Sequence, residues 1–239
     1  MSRTVLVTGG GTGIGAAIAA RFARDGEDVY LTGRRPDVLK HTATALNATP
    51  ITCDHTDPGQ LTALLGQLPA HVDVLVNNAG GNTDFDGSPP DDLAAYAAAW
   101  RANLDANLLS AALTTHALTG RLAAGGAVVH IGSIAADKGA GAYGAAKAGL
   151  ASWNVGLAAE LGPRGLTANV VAAGYVEATE FFRDRLTDAR RTRLIADTDT
   201  GRPGTVEDIA GTVHFLASPA ARQITGQVLN VNGGAWPTR

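Results

Sequence analysis

Cysteine is almost missing from this chain. The single thiol, Cys53, excludes a disulfide framework and a cysteine-built zinc site. It fits a reducing cytosol, so a cytoplasmic location is expected. Aromatic residues are scarce at 5%, and charged residues reach only 17%. The formal net charge is −3, so no strongly basic face is implied and nucleic acid is not an expected partner. No apolar run approaches the ~18 residues that a membrane span requires, so no membrane partner is expected. The opening Met1-Ser2-Arg3-Thr4-Val5-Leu6-Val7 meets glycine too soon for a signal peptide. The histidines, His41, His55, His71, His116, His130 and His214, show no ligand spacing, and no metal is assigned. His130 reads as a packed residue of a strand.

What is present suits a folded core. Hydrophobic residues make up 45% of 239, enough for one large α/β domain over residues 1–239. No linker, repeat or charge block divides it. Short apolar strands are expected at Val5–Val7, Asp28–Thr32, Pro50–Cys53, Val72–Val76, Ala127–Ile131, Leu166–Val171 and Gln227–Val231. Helices are expected at Ala16–Arg24, Pro36–Leu46, Gln60–Leu68, Asp91–Thr119, Ala142–Leu161 and Val206–Leu216. Val5–Val7, Val72–Val76 and Ala127–Ile131 are continuous rather than alternating, the pattern of parallel strands covered on both faces. The fold class is therefore α/β: a doubly wound Rossmann domain with a mainly parallel seven-stranded sheet and helices on both faces. Residues 177–200 break the alternation, carry Phe181, Phe182 and many charges, and read as a mobile substrate lid over the crevice.

The first strand ends in Thr8-Gly9-Gly10-Gly11-Thr12-Gly13-Ile14-Gly15 and opens a helix. Backbone N–H groups and the helix dipole at such a turn suit a pyrophosphate, and glycine lets the backbone approach it. The spacing is neither G-x-G-x-x-G nor that of a phosphate loop. It is T-G-x-x-x-G-x-G, which resembles the classical short-chain dehydrogenase/reductase family. The likeness runs nearly end to end. Asn77-Asn78-Ala79-Gly80, the stretch from Trp100 to Asn107-Leu108, Ile131-Gly132-Ser133, Tyr143-Gly144-Ala145-Ala146-Lys147, Thr225-Gly226-Gln227 and Val231-Asn232-Gly233-Gly234 are similar to family motifs, in family order.

Tyr143 and Lys147 stand at i and i+4, on one helix face. A phenol with a pKa of about 10 must come down by roughly three units to exchange protons near neutrality, about 4 kcal/mol. A cation about 4 Å away supplies about that much at an effective dielectric near 20. The resemblance implies that Tyr143 is the acid, Ser133 positions the carbonyl, Lys147 tunes Tyr143 and holds the nicotinamide ribose, and Asn107 holds a relay water. Asn103 competes for that last role.

The same resemblance implies a nicotinamide cofactor bound by Thr8, Gly9, Thr12, Gly13, Ile14, Gly15, Asn78, Ala79, Gly80, Tyr143, Lys147, Gly174, Val176 and Thr179. Asp54 matches the family's adenine contact. Where NAD-dependent members carry an Asp at the end of the second strand, this chain has Gly33, followed by Arg34 and Arg35. A carboxylate there repels a 2′-phosphate and a guanidinium pairs with it, so NADP(H) is expected, with Arg34 ahead of Arg35.

Three features depart from the family pattern. Ser133 and Tyr143 are ten apart, where about thirteen is common; Ala173 stands where Pro is usual; and Val206 replaces a common Pro. Thr179 also lies about one residue late. The leading expectation is an NADP-dependent carbonyl reductase acting on a ketone or secondary alcohol, with a 3-oxoacyl-carrier substrate suggested by Arg164. Ala123-Ala124-Gly125-Gly126 lacks the neighbouring cations such a carrier would meet. A non-catalytic nicotinamide-nucleotide sensor on the same fold is the alternative. Family members commonly pair the two long Ala-rich helices between subunits, which implies a homotetramer.

Overall fold

The computed structural model describes residues 2–87 and 89–238. The first half runs β1 (Thr4–Thr8), α1 (Gly13–Arg24), β2 (Asp28–Gly33), α2 (Pro36–Leu46), β3 (Thr49–Thr52), α3 (Pro58–Leu65), β4 (Val72–Asn77), α4 (Leu93–Leu104) and α5 (Ser110–Leu118). The second runs β5 (Leu122–Ser133), α6 (Ala135–Lys138), α7 (Gly141–Leu161), β6 (Thr167–Ala173), α8 (Asp188–Ala196), α9 (Val206–Leu216) and β7 (Val228–Val231). The strands form one sheet in the order β3-β2-β1-β4-β5-β6-β7. Every pairing is parallel, so the expected mainly parallel sheet is wholly so. Strand order reverses between β1 and β4, and a ligand crevice opens at the C-terminal strand ends of such a switch point.

The continuous apolar runs have a simple cause. Val5, Val7, Val74, Val76 and Val129 pack under Ile18 and Phe22 of α1, Leu39 of α2, and Ile209 and Val213 of α9. Leu6, Leu75 and Val128 point the other way, under Leu61 and Leu64 of α3, Leu118 of α5, and Leu157 and Leu161 of α7. Both faces of β1, of β4 and of the Ala127–Ile131 stretch of β5 are covered, so hydrophobic side chains are required at successive positions.

Several boundaries differ from expectation. The expected single helix over 91–119 is α4, a π-helical turn at Asp105–Leu109, and α5. Side chains there serve the backbone: Ser110 Oγ donates to Ala106 O at 2.8 Å and Asn107 Nδ2 to Asn103 O at 3.0 Å. Helix α3 starts two residues early because Asp57 caps it, accepting from the Gly59 and Gln60 N–H groups at 2.8 and 3.2 Å. Strand β5 begins at Leu122, with a register shift opposite Val72–Val74. Val206 needs no proline: Thr205 and Asp208 form a capping box that starts α9. Between β6 and α9 lie a 3₁₀ turn at Arg183–Arg185 and α8, capped by Thr187. No helix of the described residues is long and apolar enough to cross a membrane.

Candidate active site

The glycine turn joins β1 to α1. Gly9 has φ +63°, and a Cβ there would lie 2.9 Å from the Ala79 Cα. A Cβ on Gly15 would strike the Gly9 carbonyl and the Asn78 amide. Only glycine fits this close approach. Thr8 Oγ1 accepts from the backbone N–H groups of Asn78 and Ala79 at 3.0 and 2.9 Å. Asn78 Nδ2 returns hydrogen bonds to Thr8 O and Gly9 O, both at 3.0 Å. Thr8, Asn78 and Ala79 therefore brace the turn. Helix α1 starts at Gly13 with no side-chain cap on its first turn, and Ile14 packs into the core behind it. A glycine cradle at an uncapped N-terminus fits a pyrophosphate.

Ser133 ends β5, and Tyr143 and Lys147 lie in the first turns of α7. The ten-residue connection is still long enough: α6 and the left-handed Gly139 fold it back, and the Ser133 side chain stands near enough to the Tyr143 phenol to act on it, while its Oγ accepts the Ala135 N–H at 3.1 Å. Lys147 is buried, donates from Nζ to Ile131 O at 2.8 Å, and stands 5.8 Å from the Tyr143 ring centroid. Burial pushes the Tyr143 phenol up to about 12, and the neighbouring Ser133 offsets this only in part. Burial also brings Lys147 down to about 8. The expected lowering of Tyr143 by Lys147 is thus reversed. Both groups lose water together, and the ammonium is directed at a backbone carbonyl.

Two asparagines divide the neighbouring loop. Asn107, in the π turn, donates from Nδ2 to Gly81 O at 2.9 Å and accepts the Gly81 N–H at 3.0 Å. A Cβ on Gly80 would press on the same amide at 2.6 Å. Asn103 instead accepts the Thr83 N–H at 3.2 Å and donates to Asp84 at 2.8 Å. Asn107 thus fixes the Gly80–Gly81 strand exit, and Asn103 the next turn.

At the far strand ends, Gly174 N donates to Val231 O at 3.1 Å, and its missing Cβ leaves room for Asn232. This bracing holds the turn that lacks proline at Ala173. Val176 is buried and bridges Gly204. Thr179 lies directly over Gly13, with 3.6 Å between its Cγ2 and an added Cβ there, so its late position still reaches the glycine turn.

The arginine pair splits. Arg35 donates to Glu180 Oε2 at 2.9 Å and to Thr12 Oγ1 at 3.4 Å. Arg34 makes no ion pair within 4 Å among the described residues, though its charge acts on Asp54. The Asp54 carboxyl is held below its ordinary range, chiefly by the Thr56 N–H at 2.9 Å. Gly33 makes only ordinary contact with Leu39, at 3.6 Å for an added Cβ.

The sequence singles out Phe181 and Phe182, but it does not show that Phe85 and Tyr175 complete an aromatic wall with them. Phe85 meets Phe181 and Phe182 at centroid distances of 5.8 Å, and Phe181 lies 5.6 Å from the Tyr143 ring. Tyr175 meets Phe182 at 5.9 Å. Three of the chain's five phenylalanines thus gather beside two tyrosines, Tyr143 and Tyr175. Arg190 lies over Phe182 and Phe85 at 4.9 and 5.7 Å. Arg183 pairs with Asp86 at 2.8 Å, which ties residues 177–200 to the Phe85 loop. His130 is fully buried, held to about 3 mainly by burial, and packs 5.1 Å from Trp153.

A parallel doubly wound sheet, an uncapped glycine turn at its switch point and, beside it, Ser133 with the buried Tyr143 and Lys147 define an oxidoreductase of the nicotinamide-dinucleotide kind. Residues 9–235 match the family model described as enoyl-(acyl carrier protein) reductase. The chain is 35% identical over 244 residues to the 3-oxoacyl-[acyl-carrier-protein] reductase of Escherichia coli K12, covering 98% of this chain and 97% of that one. A blue fluorescent protein from a metagenomic library, solved with NADPH, superposes with a TM-score of 0.87 at 32% identity over 98% of both chains. A 7α-hydroxysteroid dehydrogenase, solved with NADH and a 7-oxo bile acid, gives a TM-score of 0.88 at 29% identity, covering 97% and 93%. The chain belongs to the short-chain dehydrogenase/reductase family.

Proposed function

We propose that this protein uses NADPH to reduce a small apolar ketone, or runs the reverse oxidation of the secondary alcohol. The observation that carries the reading is the buried Tyr143 phenol, set beside Ser133 and walled by Phe181. When bound, the cofactor supplies hydride to the carbonyl carbon. Ser133 Oγ orients the carbonyl oxygen, and the Tyr143 hydroxyl gives its proton to the oxyanion. A phenol pushed up to about 12 remains protonated near neutrality, which suits a proton donor. Lys147, with its ammonium on Ile131 O and 5.8 Å from the Tyr143 ring centroid, holds the nicotinamide ribose. Asn107 keeps Gly80 and Gly81 in place beside that ribose.

Thr8, Gly9, Thr12, Gly13, Ile14, Gly15, Asn78, Ala79 and Thr179 form the pyrophosphate end, Gly174 and Val176 the carboxamide end, and Asp54 the adenine end. Gly33, Arg34 and Arg35 take the 2′-phosphate. Residues 177–200 act as the lid, with Phe85, Phe181 and Phe182 closing on an apolar substrate. A free small ketone is favoured over an acyl-carrier thioester, because the Arg164 guanidinium donates to the backbone oxygens of Thr119 and Leu122. We place the protein in the cytoplasm as a homotetramer. Exposed Leu93, Tyr96 and Val155 on α4 and α7 support pairing of those helices, and light scattering at micromolar concentration tests it.

The deciding experiment is cofactor oxidation across a ketone panel that includes an acyl-carrier thioester. Turnover of small ketones is expected. Binding of NADPH without turnover of any member would instead support a nucleotide sensor.

A further inference from the structure

We propose that Glu180 is a specificity-determining residue, a carboxylate that competes with the cofactor's 2′-phosphate for Arg35. This rests on the NADP(H) reading above. The end of β2 is the place where a doubly wound domain reads the adenosine ribose. Here the strand end itself offers no carboxylate, only Gly33. The carboxylate arrives from a segment 145 residues away, and its Oε2 accepts from Arg35 Nη2 at 2.9 Å. The same nitrogen reaches Thr12 Oγ1 at 3.4 Å, so the ion pair lies against the glycine turn.

Glu180 is held on both sides. Thr179 covers Gly13, and Phe181 packs 5.6 Å from the Tyr143 ring. The carboxylate is therefore kept beside the turn while the segment is docked. A 2′-phosphate that uses Arg35 must break this pair or accept a like charge next to it. Arg34 has no carboxylate within ion-pair distance among the described residues, only the more distant charge of Asp54. The pair is more than half exposed on both sides, at 58% and 61%, so its influence is modest and sensitive to salt.

The test uses binding rather than turnover, with 2′,5′-ADP and 5′-AMP titrated calorimetrically into the full chain. Glu180→Gln is expected to tighten 2′,5′-ADP about three- to tenfold and to change 5′-AMP by less than twofold. The gain should shrink in high salt and vanish when Arg35→Ala is added. Phe181→Ala loosens the same segment without altering charge, and should shift the ratio of the two affinities toward 2′,5′-ADP by less than Glu180→Gln does, with no further shift when the two changes are combined. Equal tightening of both nucleotides by Glu180→Gln, no change in either, or a ratio shift in Phe181→Ala that persists undiminished in the Glu180→Gln background overturns the proposal. If the parent binds 2′,5′-ADP no tighter than 5′-AMP, and Arg34→Ala with Arg35→Ala changes neither, the phosphate site is absent and the cofactor reading falls with it.

Discussion

The two faces of the sheet are built to different rules. Under α1, α2 and α9 the buried side chains are almost entirely apolar, from Val5 and Val7 through Phe22 to Ile209 and Val213. Asn169 is an exception, and it is satisfied by Ile224 O at 2.7 Å and the Gln227 N–H at 3.0 Å. Under α3, α5 and α7 the sheet instead carries every buried titratable side chain of the described residues: Cys53, His55, His130, Tyr143 and Lys147. Buried polar atoms without protein partners gather there too, on Asn77, His130 and Asn154. Burial in low dielectric is inexpensive for a valine and costly for a charge. The first face supplies stability, and the second spends part of it to keep reactive groups dry at the strand ends.

Removing one hydroxyl tests the second face most sharply. Tyr143→Phe should lower kcat by a thousandfold or more, in line with losing both the proton donor and its bond to the oxyanion (each worth roughly 10²-fold or more). Its melting temperature should stay close to the parent's, because the ring contacts with Phe181 remain. Activity within tenfold of the parent would assign the acid elsewhere.

Phe22→Ala tests the first face by the opposite signature. Phe22 is completely buried in α1 beside the β1 valines. Its truncation should cost about 3–5 kcal/mol in chemical denaturation. The folded fraction should retain its KM and kcat. A large change in kcat with little loss of stability would mean that the two faces are not separate in function.

Acid should find the second face before the first. His55 bridges Thr32 and Thr114 at 2.7 Å on each side and is held to about 4, while His130 is held to about 3. Burial is the first cause in both. The unfolded chain takes up protons near pH 6.5, before the folded one does. Stability from keeping these rings neutral is therefore complete above that pH and lost as pH falls toward 4 and 3. The loss is roughly 3 kcal/mol for each ring by pH 4. His130→Gln should remove about one such share from the difference between urea stabilities at pH 7 and pH 4. Phe22→Ala should lower both stabilities in parallel. An unchanged difference in His130→Gln refutes the assignment.

Most of the scaffold was legible because its signals are local. Continuous apolar runs disclose strands covered on both faces, and the glycine spacing discloses the turn whose missing Cβ atoms let Gly9, Gly15 and Asn78 meet. Ser133, Tyr143 and Lys147 are carried by spacing within one strand–helix unit, and three missing residues between the first two did not separate them. What stayed hidden is long-range. Phe85 lies in a loop far from Phe181 in sequence, so nothing near it marks a site wall. The break in the 91–119 helix adds a π turn to a pattern whose small alanines hardly define a face. The direction of the Tyr143 shift depends on how much water burial removes, which a sequence spacing of four does not contain.

The smallest effect concerns the border between the faces. Gly33 ends β2 against Leu39, a member of the apolar cluster, yet is expected to select the cofactor. Its φ lies outside the left-handed region, and an added Cβ would meet Leu39 only at 3.6–3.8 Å, so a side chain can be introduced without strain. A carboxylate there would repel the 2′-phosphate, and loss of the Arg34 guanidinium would remove the partner that Glu180 does not engage. Charge-assisted hydrogen bonds are worth about 1.5–3 kcal/mol, which is roughly a tenfold to hundredfold preference. Gly33→Asp combined with Arg34→Ala should therefore turn the kcat/KM ratio from NADPH toward NADH by about that factor, with little change in kcat on the better cofactor. Glu180 already occupies Arg35, so the parent's preference is expected near the lower end. A parent ratio at or below one removes the basis for NADP(H). A double variant that keeps the parent's ratio moves phosphate selection away from the end of β2.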